Sequence, residues 1–337
     1  MNVVGLLVLL SAGLALFALA IIAFTAWTLT HPTRRTYSWA VARSIPGDPS
    51  EVRMPGVERL AFSSWSCDSR GLNLPVWDIA GLDPSGPIAV ITHGWSDSRV
   101  VALSRLPALL PCCRRIIMWD LPGHGEAPGL CTLGTREAQD LHRLLDLIGP
   151  DAPILLYGSS LGAGLSIVVA AARRHTSSIV GVIAEAPYRV PRVPAERVLQ
   201  ARGLPHRWNV PAAMAILGLW LGYGLSWVRR GRGAGGFDRI LHAANLAVPL
   251  LILHGTCDEV CPIVDGRDIA AAVPSGRGRL VEVHGAAHNN LWSDDRFIAI
   301  CASEVEAFIA QTPAPTLSTG AAGHQPPPPT PRSPLHP

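Results

Sequence analysis

The ten residues from Leu155 to Gly164, LLYGSSLGAG, constrain the fold more than any other stretch of the chain. Apolar residues run into Gly158, a serine follows at Ser160, glycine returns at Gly162, and small apolar residues continue to Ala172. Glycine on both sides of Ser160 lets a strand and the helix after it approach closely, so the chain turns sharply from one into the other. A serine at such a turn is held in a strained conformation with its hydroxyl at the helix N-terminus, where amide N–H groups can stabilise an oxyanion. This is the pattern of a nucleophile elbow. Gly and Ser are also common in ordinary turns, so the remaining chain must supply a base, an acid and a further oxyanion donor.

Strand-like runs at 57–65, 74–80, 88–92, 115–119, 154–157, 180–184, 250–253 and 280–283 alternate with helical patterns. That rhythm predicts an α/β fold with a mostly parallel sheet covered by helices on both faces. Several runs are uninterrupted aliphatic stretches, as strands buried on both faces require. Leu141, Leu144, Leu145 and Ile148 recur at helical spacing and mark one apolar face. The 337 residues are 48% hydrophobic and 16% charged, enough for one large core. A net charge of +3, with no basic stripe among aromatic residues, gives no footprint for nucleic acid.

In an open α/β sheet, ligands meet the loops at the carboxyl ends of the strands. The run ending at Thr92 continues into His93-Gly94-Trp95, where the glycine lets the Trp95 N–H turn toward an oxyanion, with the Leu161 N–H as second donor. Asp120 and His124 flank Pro122 and Gly123 and read as a structural turn. Asp258 follows the run at 250–253, and His288 follows the last strand. A serine hydroxyl is a weak nucleophile at neutral pH and needs an imidazole to take its proton. A buried carboxylate fixes the imidazole tautomer and stabilises the cation that forms. Ser160, His288 and Asp258 fit those needs, in the chain order Ser, Asp, His. His284 is a rival for the base; Glu185 and Glu259 are rivals for the acid.

The segments HGW, DLPGHG, GSSLG, HGTCDEVCP and GAAHNN, in this order, resemble the α/β-hydrolase fold serine hydrolases, especially the serine aminopeptidase-like and monoglyceride-lipase-like group. The resemblance implies Ser160 as nucleophile, Asp258 as acid, His288 as base, and the amides of Trp95 and Leu161 as oxyanion donors. It implies no cofactor and no metal. Cys261 stands where the family more usually carries an aliphatic residue, and the opening strands fit the family only loosely.

Residues outside that core set the context. From Val3 to Leu29 the chain is apolar and uncharged, longer than the roughly 20 residues that cross a hydrocarbon core. No basic residue precedes the run, so a membrane anchor over 1–30 is preferred to a cleaved signal peptide. Arg34 and Arg35 at its C-terminal flank favour a cytoplasmic body. Seven cysteines, two of them adjacent at Cys112 and Cys113, make no disulfide framework. Cys257 and Cys261 have the spacing of a metal pair but lack a second Cys/His pair, and read as structural thiols. A linker is expected over 31–56 and the hydrolase domain over 57–311. Within that domain, 189–245 is an inserted lid. Its apolar stretch from Pro211 to Val228 could be a second transmembrane span, but reads better as a lid helix touching the bilayer or acyl pocket, or as a helix buried on the sheet, since a span would part Asp258 and His288 from Ser160. The proline-rich residues 312–337 are expected to be disordered.

Taken together, these features predict a membrane-anchored, single-pass serine hydrolase acting on an ester or related acyl bond of an apolar or lipid-like substrate. An aminopeptidase or amidase of the same fold, with Glu185 binding an amine, is the alternative. A catalytically inactive binding module is a further one.

Overall fold

The computed structural model describes residues 2–149, 153–175, 178–221 and 238–312. The chain opens with helix α1 (Val3–Thr30) and the short α2 (Tyr37–Val41). Strands β1 (Phe62–Ser69) and β2 (Leu72–Ala80) form a hairpin, turned by Arg70 and Gly71 with φ of 51° and 73°. Positive φ at both turn residues matches the right-handed twist of the flanking strands. This turn fixes the register of β1, which therefore begins at Phe62 rather than at Val57 as the apolar pattern predicts; Val57 instead makes an isolated bridge to Met54.

Strand β3 (Ile88–Thr92) is followed by the short helices α3 (Arg99–Ala102) and α4 (Leu106–Leu109), β4 (Arg115–Trp119) and α5 (Glu137–Ile148). Next come β5 (Ile154–Ser159), α6 (Leu161–Ala172) and β6 (Ile179–Glu185). The insertion after β6 holds α7 (Arg192–Ala201), α8 (Asn209–Trp220) and α9 (Arg239–Ala243). The chain then forms β7 (Leu250–Gly255), α10 (Ile263–Ala272), β8 (Gly278–Val283) and α11 (Asp295–Gln311).

The strands make one eight-stranded sheet in the order β1-β2-β4-β3-β5-β6-β7-β8. The β1–β2 and β2–β4 pairs are antiparallel and every other pair is parallel. Because side chains alternate along a strand, β5 sends Ile154 and Leu156 to one core and Leu155 and Tyr157 to the other. The first core also takes Leu141, Leu144 and Leu145 of α5 and the apolar face of α6. The second takes Phe297, Cys301, Val305 and Phe308, spaced along one face of α11. The α/β architecture read from the sequence is the one observed.

Two features at the N-terminus differ from a detached anchor and linker. Helix α1 leaves Val3 to Phe24 largely exposed but buries Thr25, Thr28, Leu29 and Thr30 against the body. Helix α8 packs along α1, where the buried Asn209 amide donates to Thr25 Oγ1 at 2.7 Å. The segment 31–56 buries Ala40, Pro49 and Val52 rather than running free. Residues 222–228 of the apolar lid stretch, and 313–337 of the tail, lie outside the described residues.

Candidate active site

Ser160 sits between β5 and α6 with φ 50° and ψ −106°, a conformation costly for a residue with a Cβ. Two close approaches hold it there. A Cβ on Gly158 would lie 2.1 Å from the Gly162 carbonyl oxygen, and one on Gly162 would lie 2.0 Å from that of Thr92. The glycines thus press α6 against β5 and β3. The Ser160 N–H donates to the Glu185 carbonyl at 2.8 Å, tying the turn to the end of β6.

Asp258 and His288 come from the loops after β7 and β8, adjacent parallel strands, so their side chains meet beyond one sheet edge. His288 Nδ1 lies 2.8 Å from Asp258 Oδ2. The other carboxylate oxygen, Oδ1, accepts the N–H groups of Val260 at 2.8 Å and Cys261 at 2.7 Å. His254 Nε2 is a further neighbour of Oδ2, at 3.4 Å. Burial raises the Asp258 carboxyl, but the hydrogen bonds from His254, His288 and the Cys261 amide outweigh it and hold the group well below the usual range. Burial opposes a charge on His288, while Cys261 and Asp258 favour it and prevail, so the ring is a stronger proton acceptor than free imidazole. The Ser160 hydroxyl lies 4.0 Å from Cys261 Sγ of this loop. Burial pushes that thiol up.

Ser160 and His288 line one cavity of about 220 Å³, whose apolar wall includes Leu29, Trp95, Leu133 and Tyr188. Four of the seven non-glycine residues with positive φ among the described residues, Ser96, Leu133, Ser160 and Ala186, line it. Backbone strain is therefore concentrated here, as it is at functional sites. Trp95 and Leu161 also line the cavity, and neither amide has a carbonyl partner among the described residues. Leu161 is the first residue of α6, where the N–H has no intrahelical acceptor.

The rivals lie elsewhere or are occupied. His284 and Glu259 are exposed. Glu185 faces the cavity, but its oxygens accept from Arg105 Nη2 at 2.6 Å, Arg105 Nε at 3.2 Å, the Tyr157 hydroxyl at 3.0 Å and Trp292 Nε1 at 3.1 Å. Asp120 accepts the Arg99 and Glu126 amides at 2.8 and 3.0 Å, as a structural turn would. His93 Nε2 accepts the Leu121 N–H at 3.0 Å, which leaves its Nδ1–H to donate to the Gly94 carbonyl at 2.8 Å. That pair of bonds requires a neutral ring, and burial pushes His93 down to about 4.

Sequence reasoning missed Leu29 and Arg105. Leu29 closes the cavity, and its carbonyl accepts the Trp95 indole N–H at 3.0 Å. Nothing within a uniformly apolar run distinguishes it. Arg105 was legible in principle, because a lone charge in the apolar segment VVALSRLPALLP needs a buried partner.

A family model described as "Alpha/beta hydrolase family" matches residues 89–300, more than half of the chain. The chain belongs to the alpha/beta hydrolase family. This match carries the family and no narrower group within it. Among solved structures, the esterase Pf2001 of Pyrococcus furiosus is similar at a TM-score of 0.58 with 18% identity, over 84% of this chain and 99% of that one. The esterase RhEst1 of Rhodococcus sp. ECU1013 is similar at 0.54 with 21% identity, over 75% of this chain and 99% of that one. A membrane phospholipase A described as a bacterial virulence factor is similar at 0.56 with 15% identity, over 92% and 98%. At these identities the likeness is one of fold. No curated protein matches the sequence significantly.

Proposed function

We propose that this alpha/beta hydrolase is a membrane-anchored serine hydrolase that cleaves an ester, or a related acyl bond, of an apolar lipid-like substrate. The observation that carries the reading is the 2.8 Å contact between His288 Nδ1 and Asp258 Oδ2, behind a cavity that His288 and the strained Ser160 both line. As Ser160 Oγ attacks the acyl carbon, His288 Nε2 takes its proton, and Asp258 holds the Nδ1–H and stabilises the imidazolium. The amides of Trp95 and Leu161 receive the oxyanion. The leaving alcohol takes the proton from His288, and water then releases the acyl group from Ser160 by the same steps. Hydrogen bonds between nucleophile and base commonly tighten only when substrate binds.

Several features favour an apolar ester over a peptide. With its oxygens already taken by Arg105, Tyr157 and Trp292, Glu185 has little capacity left for an amine. Leu29, Trp95, Leu133 and Tyr188 give the otherwise mixed cavity wall an apolar side, and solved structures of similar fold include proteins described as esterases and a membrane phospholipase A. Helix α1 carries no charge in its 28 residues, and the 22 from Val3 to Phe24 are exposed or half-buried. At 1.5 Å per residue they extend roughly 33 Å, enough for a bilayer core. Arg34 and Arg35 beyond it favour a cytoplasmic catalytic body.

The test is a panel of substrates varying acyl length and ester against amide, run with fluorophosphonate labelling. Wild type should label and turn over long-chain esters faster than amides. Ser160→Ala should not label, and Ser160→Ala and His288→Ala should each lose about 10⁴-fold or more in kcat. Equal labelling of Ser160→Ala, or a preference for amides, overturns the reading.

A further inference from the structure

The loop after β7 brings a thiol to the candidate base. Cys261 Sγ lies 4.0 Å from Ser160 Oγ, and the ligating atoms of Asp258, Cys261 and His288 all lie within 4.8 Å of one another. Cys257, the residue that sequence spacing pairs with Cys261, is exposed and stands outside this group. The partner of the thiol is therefore a histidine from the next loop, a relation that no local spacing encodes.

We propose that Cys261 Sγ and His288 Nε2 form a binding site for a borderline-soft divalent cation of the zinc class, and that its occupation switches the enzyme off. Nδ1 of His288 faces Asp258 Oδ2 at 2.8 Å, so Nε2 is the ring nitrogen that remains. A carboxylate on the far nitrogen of a ligating histidine fixes its tautomer and raises its basicity, the usual outer support of a metal-bound imidazole. Asp258 is itself held by two backbone N–H groups and His254, so this support is rigid. Sulfur and nitrogen are the donors that such cations prefer over magnesium or calcium. A tetrahedral ion holds them about 3.6 Å apart, with bonds of about 2.3 and 2.0 Å, so side-chain movements on the order of 1 Å suffice. Ser160 Oγ or water completes the coordination.

Binding balances simply. The cation displaces the Cys261 thiol proton, and the Nε2 proton of any protonated His288, to solvent, and forms one bond to the thiolate and one to the Nε2 lone pair. That lone pair is then unavailable to Ser160. Inhibition rests on the function proposed above; cation binding does not.

The experiment is a Co²⁺ titration of the detergent-solubilised full chain, followed by the near-ultraviolet thiolate-to-cobalt absorption, beside Zn²⁺ inhibition of ester turnover. The thiolate band should appear in wild type, in Cys257→Ser and in Ser160→Ala, and be absent from Cys261→Ala and Cys261→Ser. Loss of a ligand should raise the Zn²⁺ concentration for half-inhibition by about 10-fold or more in both Cys261 variants. Absence of the band in wild type, its loss in Cys257→Ser, its retention in the Cys261 variants, or unchanged Zn²⁺ sensitivity there overturns the proposal. Because Ser160→Ala is read by absorption alone, failure of the cation site and failure of the hydrolase reading are separable.

Discussion

A methyl group on Gly162 would sit 2.0 Å from the Thr92 carbonyl oxygen and 2.7 Å from that of His93, against backbone that cannot rotate away. Gly162→Ala must therefore push α6 off β3 and move Ser160 relative to the loop that carries Trp95. Overpacking of this kind costs about 1–3 kcal/mol, a fall in Tm of roughly 2–12 °C for a domain of this size. Turnover should fall further than stability accounts for, since the elbow itself is displaced; thermal melts beside steady-state kinetics of the folded variant check both. An unchanged Tm with unchanged kcat would mean that α6 shifts freely. At this scale the sequence was legible where the signal is local. The two glycines around Ser160 and the strand-end positions of Asp258 and His288 are written in adjacent residues. The contacts of Cys261 with Ser160 and of Arg105 with Glu185 join residues 101 and 80 positions apart, and only the fold creates them.

Helix α1 is the element whose role changes most between sequence and structure. Its composition predicts an anchor ending near residue 30, yet its last turn is part of the cavity wall. Leu29 accepts the Trp95 indole at 3.0 Å, the Thr30 carbonyl accepts the Cys131 N–H at 3.0 Å, and Thr25 meets Asn209 of α8. Hydropathy cannot mark this division, because lipid-facing and protein-facing positions of an apolar helix carry the same residue types. Two truncations should therefore differ. Removal of residues 2–24 should weaken membrane attachment and leave fluorophosphonate labelling of Ser160 near that of the full chain. Removal of residues 2–30 should also strip Leu29 and the bonds made by Leu29 and Thr30. It should lower Tm and cut turnover of a soluble short-chain ester about 10-fold or more, the cost of a misplaced site. Equal turnover by the two truncations would make α1 a tether only. The exposed Ile216, Leu219 and Trp220 of α8, beside α1, predict residual membrane adsorption of both forms.

Across the whole molecule, the parallel order β4-β3-β5-β6-β7-β8 gathers the site loops at one edge, and two buried histidines stand behind them. His93 and His124 pack edge to face with centroids 5.0 Å apart. Burial holds His93 down to about 4 and His124 well below its ordinary value. Neither ring has room for a second proton: His93 Nε2 already accepts the Leu121 N–H, and His124 Nε2 is buried without a partner among the described residues. In the unfolded chain both titrate near 6.5. Their folded values are depressed, so they contribute stability above that pH and lose it as the pH falls, the unfolded state taking up protons that the folded state refuses. Each adds a slope that approaches about 1.4 kcal/mol per pH unit below 6.5. Carboxyls raised by burial, Asp97, Asp120 and Glu137, act in the opposite sense, since the folded state protonates them before the unfolded chain does. His124→Gln keeps a side chain able to donate to the Pro122 carbonyl and removes one titration. Denaturant melts from pH 7 to 5 should therefore show this variant losing less stability than wild type as the pH falls, and parallel slopes would place the acid sensitivity outside His124.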